Sequence, residues 1–277
     1  MRTPLLLLLL LVELNLTGAY ATITINADDT PIHQQFSNIL HSKIEQQRLQ
    51  QQCLPLQITI GPKALSSALT IQKEIPILAL LITQDEFQAA TKERSMSPIS
   101  AIFREQPLQR LIALTQIATP SIHHLGLLTT QPHILSSIPP PIVIQQPAPQ
   151  LRQALNTLLP KVDALVSHHN PKLFTPDSIK NILLSSYRQQ KPLICHTRAL
   201  VTAGCIMGVH SSASELIKES LDWIQYYQNQ EDNHPLQPPR YSRHFSVSTN
   251  NKVAQSLGFR LSHPSQLTQQ LQELETE

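Results

Sequence analysis

Glycine is scarce in this 277-residue sequence: there are six, at positions 18, 61, 126, 204, 208 and 258. No G-x-G-x-x-G can be assembled from them, and Gly61-Pro62-Lys63 lacks the preceding glycine of a P-loop, so neither sequence signature of a nucleotide cradle is present. Charge is sparse too, at 14% of residues with a formal net charge of +2. Such a chain has no basic field to hold nucleic acid or an anionic membrane surface, and no nucleic-acid partner is expected. Aromatic residues make up 4%, too few and too dispersed for an evident stacking box. The three cysteines, Cys53, Cys195 and Cys205, form no C-x-x-C, which argues against structural zinc and thioredoxin-type chemistry. In an oxidising compartment an odd number leaves at least one free thiol or an intermolecular bond. Cys195 and Cys205 could pair, but ordinary buried thiols are the favoured expectation. There is no G-x-S-x-G, no H-E-x-x-H and no kinase-type loop. The expectation is therefore a protein without catalytic residues, cofactor or metal.

What is present begins with an export pattern. Arg2 precedes the apolar run Leu5–Val12, and Ala19-Tyr20-Ala21 supplies small residues at −3 and −1 of a cleavage site before Thr22. Glu13 and Asn15 end the run well short of the ~20 apolar residues that span a bilayer. Residues 1–21 read as a cleavable signal peptide, which puts the mature chain in the periplasm.

Beyond it, apolar runs alternate with helix-start signals. Thr22–Ile25, Leu56–Ile60, the doubly apolar Ile75–Ile82 and Ile99–Phe103 read as strands, each followed by an amphipathic helix. Thr30-Pro31, a hydroxyl cap followed by proline in the first turn, opens the helix expected over 31–50. The alternation restarts at His124–Thr129, with further strands at 141–144, 162–166, 192–195 and 245–248. Residues 198–227 read as a helix, a small-residue turn around Gly204 and Gly208, and a long helix. Repeated β–α alternation predicts parallel sheets covered on both faces, in two Rossmann-like lobes with a cleft between them. The expected organisation is lobe 1 over 22–118 with a returning segment at about 205–240, and lobe 2 over 119–204 with the C-terminal segment 241–277.

Several stretches in order carry a family resemblance across roughly residues 22–262. Ile25-Asn26-Ala27-Asp28-Asp29-Thr30-Pro31 with Gln35-Phe36 resembles a first strand and ligand loop. Ile58-Thr59-Ile60-Gly61-Pro62-Lys63-Ala64 is similar to a V-G-T-K-A segment, with Pro62 in place of the usual threonine. Ile77–Thr83 resembles P-V-L-A-x-L-I-P, and Ile99–Leu111 resembles I-S-A-I-Y-x-D-Q-P. His124–Leu128, Leu200–Ser212 and Phe245–Gly258 resemble later family segments. The family is that of ABC-transporter substrate-binding proteins with the type I periplasmic-binding fold, in the branch that includes tryptophan and tyrosine binders. The resemblance implies a monomer that captures a small organic ligand, an amino acid or another carboxylate, and delivers it to an inner-membrane ABC permease. The alternative is a sensory or accessory protein of the same fold that signals to a membrane partner. Where relatives carry Asp after the strand at 162–166, this chain has Ser167-His168-His169.

In open α/β sheets ligands lie beyond the carboxyl ends of the strands. That rule selects the candidates. Asp28, Asp29 and Thr30 follow the first strand and could hydrogen-bond a ligand amine or hydroxyl, or serve only as helix caps. Gly61, Lys63 and Ala64 open a helix whose N-terminus suits an anion or carbonyl. Phe103 is the one aromatic candidate, near a hinge. Thr129 and Thr130 would face these from lobe 2, with His168 and His169. His196 and Arg198 follow the strand at 192–195, and the Arg198 guanidinium could clamp a carboxylate. The loops 28–30, 61–64, 129–131, 167–169 and 196–198 are expected to meet across the cleft.

Overall fold

A computed structural model describes residues 23–47, 49, 54–71, 75–92, 98–128, 143–145, 151–170, 172–230 and 235–275. The export pattern at 1–21 and Cys53 lie outside them. The first sheet holds β1 (Ile23–Ala27), β2 (Leu56–Ile60), β3 (Ile77–Ile82), β4 (Ile99–Phe103) and β10 (Arg240–Tyr241), all parallel, in the order β1-β2-β3-β4-β10. Its faces are covered by α1 (Pro31–Gln46) and α8 (Ala213–Gln228) on one side and by α2 (Pro62–Thr70) and α3 (Gln84–Thr91) on the other. Because both faces are dry, β3 is apolar at every position. The α1 stripe Phe36, Leu40 and Ile44 and the α8 stripe from Leu216 to Tyr227 close one core over Ile58, Leu78 and Ile102. Each fully buried Leu or Ile of this kind contributes about 1.5–3 kcal/mol of transfer free energy.

The second sheet runs β11-β9-β8-β7-β5-β6, from β5 (Leu125–Leu128), β6 (Val143–Gln145), β7 (Ala164–Val166), β8 (Leu193–Cys195), β9 (Met207–His210) and β11 (Ser246–Thr249). Only β11 is antiparallel to its neighbour. Helices α4 (Leu108–Ala118), α9 (Asn251–Ser256) and α10 (Pro264–Leu274) cover one face, and α5 (Leu151–Leu158), α6 (Pro176–Arg188) and α7 (Arg198–Ala203) the other.

The chain crosses between the sheets at 104–107, 211–212 and 242–245. The structure differs from the sequence expectation in three places. Helix α4, expected in lobe 1, packs its Leu108, Leu111 and Leu114 against Val209, Ile194 and α10 in lobe 2. The turn expected around Gly208 is instead the strand β9, so the return to lobe 1 begins after His210, not at 205. Gly208 is needed because it lies beside Cys195 in the adjoining strand: a Cβ there would sit 2.2 Å from the Cys195 carbonyl oxygen. Third, Cys195 and Cys205 are not separate thiols. They form a disulfide, Cα–Cα 6.1 Å, inside the apolar cluster of Leu193, Val201 and Ile182. It brackets α7, tying the end of β8 to the turn before β9.

Candidate functional site

All three crossings leave or enter at one edge of each sheet. β4 ends at Phe103 as the first crossing begins, β9 ends at His210 before the second, and β10 ends at Tyr241 before the third. The third leads into β11, which starts opposite His210. The carboxyl edges of both parallel sheets therefore turn toward the crossings. Groups at these edges sense one another: burial lowers the His169 pKa, Arg104 lowers it further and Glu86 and Asp85 oppose, so the ends of β3 and β4 stand within electrostatic reach of the end of β7.

On the lobe 2 side, Ser167, His168 and His169 follow β7, and His196 follows β8. Ser167 Oγ lies 2.8 Å from His196 Nδ1 and also accepts the His196 backbone N–H at 3.2 Å. The ring centroids of His169 and His196 are 6.0 Å apart at 90°, and Phe174 lies edge-on to His196 at 5.8 Å and to His168 at 6.2 Å. Burial, helped by the neighbouring His169 and His168, pushes the His196 pKa down to about 3. Burial is also the main reason that the His169 pKa is lowered. At neutral pH the His196 imidazole is uncharged, able to donate and accept hydrogen bonds, and the three rings together present flat faces. No group of three His, Cys, Asp or Glu residues that could hold a metal occurs among the described residues. Arg198 is exposed at the first turn of α7, which Thr197 caps through the Leu200 N–H; burial lowers the pKa of His210 at the end of β9, and Arg198 adds a smaller push in the same direction.

On the lobe 1 side the expected residues divide. Asp28, anticipated on an exposed loop, is buried at 6% exposure. Its carboxylate accepts the backbone N–H of Ala64 at 2.6 Å and of Lys63 at 3.3 Å. The α2 N-terminus, expected to offer its donors to a ligand anion, thus directs these two at an internal carboxylate. Gly61, at φ +99°, makes room: a Cβ would lie 2.5 Å from Asp28 Cγ. Thr30 caps α1 by accepting from the His33 N–H, while Asp29 and the Lys63 side chain are exposed. Phe103 is 4% exposed in the core, edge-on to Phe87 and Tyr241, so packing, not the cleft surface, accounts for it. Thr129 and Thr130 lie outside the described residues.

Three groups at this edge were not anticipated. Arg104 pairs with Glu86 at 3.5 Å. Glu105 accepts the Gln84 N–H at 2.8 Å, and its Oε2 is buried without a hydrogen-bond partner among the described residues. Burial pushes its carboxyl up to about 7. Tyr241 donates to Gln84 Oε1 at 2.7 Å, and burial pushes its phenol up to about 12. The only sequence signal for Glu105 was its position in the segment Arg104-Glu105-Gln106-Pro107, directly after a strand.

No family model matches the chain, and no curated protein does. Solved structures do. The chain is similar to the ABC domain in complex with L-Trp from Streptococcus pneumonia, at 15% identity and a TM-score of 0.53, with 88% of this chain and 97% of that one covered. A conserved domain protein from Vibrio cholerae aligns at 12% identity and TM-score 0.52, covering 88% and 96%. A ligand-free, open substrate-binding protein with adhesive properties from Clostridium difficile aligns at 15% identity and TM-score 0.57, covering 83% and 81%. The fold is thus the two-lobed α/β fold of substrate-binding proteins.

Proposed function

We propose that this chain is an exported solute-binding protein that holds a small organic ligand between its lobes and performs no chemistry on it. The observation that carries the reading is the pairing of edges: three chain crossings join the carboxyl ends of the two sheets, with His168, His169 and His196 at the end of one and Arg104, Asp85 and Glu86 at the end of the other. Opposed strand ends of this kind satisfy one ligand from two sides when the lobes approach, and the ligand stabilises whichever orientation it binds better. The wall of imidazole rings around the uncharged His196 favours an organic ligand with hydrogen-bonding groups or a flat ring. Arg198 at the rim favours a carboxylate, as an amino acid carries. The L-Trp held by the similar domain from Streptococcus pneumonia agrees with that class.

Export is supported by the charged, apolar and small-residue succession of residues 1–21 and by the Cys195–Cys205 disulfide, which persists in an oxidising compartment such as the periplasm. Delivery to an inner-membrane permease of the ABC type follows from the same reading. The test is to purify the protein from periplasm, denature it, and identify released small molecules by mass spectrometry. Recovery of one organic compound in near-equimolar amount, rebinding without turnover, is the expected result. Turnover of the recovered compound would overturn the reading.

A further inference from the structure

The buried Arg110 guanidinium ties together segments that must shift if the lobes rotate. Arg110 belongs to α4 in lobe 2 and is 5% exposed. Its Nη1 donates to Gln106 Oε1 at 2.6 Å, in the first crossing, and to the Ser242 carbonyl at 3.0 Å, in the third. Gln106 in turn donates to Ser211 Oγ at 2.9 Å, in the second crossing. The other edge of the guanidinium is bidentate to Glu275, just past the end of α10, at 2.5 and 2.7 Å. Its carbon sits 4.0 Å above the Phe245 ring.

We infer that Arg110 is the positioning residue of the hinge, and that Glu275 is the releasable strap that holds it. The planar fork has fixed donor directions, so a rotation that separates the first and third crossings cannot keep both Nη1 bonds while Nε and Nη2 remain on Glu275. Among these acceptors only Glu275 carries charge. It is also partly open to solvent, with a side chain 36% exposed. Releasing it frees the guanidinium to follow one crossing. The inference rests on lobe motion accompanying capture, but concerns the empty protein.

The experiment therefore uses no ligand. Donor and acceptor dyes are placed through Ser66→Cys in α2 and Asn156→Cys in α5, both exposed positions, in a Cys53→Ser background. Single-molecule transfer then reads the interlobe distance distribution. Glu275→Gln is expected to change the ratio of lobe orientations roughly two- to fivefold, the scale of a partly exposed bidentate pair, and to lower the thermal midpoint, because Arg110 stays buried without its counter-charge. Glu275→Asp should restore part of the original distribution. A distribution unchanged in Glu275→Gln overturns the inference, whether or not the midpoint falls. That failure would leave ligand capture standing, because capture is read separately from released compounds.

Discussion

Ser167 Oγ, 2.8 Å from His196 Nδ1, joins the ends of β7 and β8 in the floor of lobe 2. The bond occupies one nitrogen of a ring whose burial holds it neutral. His196 has a folded pKa depressed from 6.5 to about 3, so its contribution to stability is fully present above about 6.5 and is lost as pH falls through that window. The loss is on the order of 2–4 kcal/mol for a buried imidazole. Denaturant unfolding between pH 7.5 and 4 should show a shallower acid decline for His196→Gln than for the wild type. Parallel declines would mean that the ring is not held neutral by its surroundings.

Glu105 acts at the opposite end of the pH range. Its folded pKa is raised from 4.5 to about 7, so it favours folding most below 4.5, and that contribution disappears as pH rises through 7. Glu105→Gln keeps an acceptor for the Gln84 N–H without the charge. It should exceed the wild type in stability at pH 8 by on the order of 1–3 kcal/mol, with the gap closing below pH 5. Chemical denaturation at the two pH values checks this, and a gap independent of pH would contradict it.

Asp28 is predicted to matter for folding. Removing its carboxylate leaves the Ala64 and Lys63 N–H groups at the α2 N-terminus without that acceptor, a cost of about 1–2 kcal/mol. Asp28→Ala should lower the thermal midpoint, Asp28→Asn less so, and Asp29→Ala, at an exposed neighbour, hardly at all. Equal midpoints for Asp28→Ala and Asp29→Ala would contradict the capping role.

The β–α alternation was legible because strands covered on both faces leave uninterrupted apolar runs, as in β3, and because Thr30 and Thr175 cap their helices. Partner choice was not. The α4 periodicity marks an apolar stripe but not which sheet receives it, and a strand as short as β9, with glycine inside, reads as a turn. Asp28 looked like a loop acid because its donors lie 35 and 36 residues away. The disulfide was one of two open readings, since spacing alone does not bring sulfur to sulfur. Strand-end logic did place His168, His169 and His196 at one edge. It missed Arg104 and Glu105, which only the facing of the sheets brings into play.

Hydrogen–deuterium exchange with the compound recovered from the periplasmic protein tests two-sided capture most directly. The account predicts slowed exchange on both lobes together, in peptides covering 84–86 and 104–106 on one and 167–170 and 196–198 on the other, with outer helices such as α5 unchanged. Protection confined to one lobe, or lying away from both carboxyl edges, would contradict it.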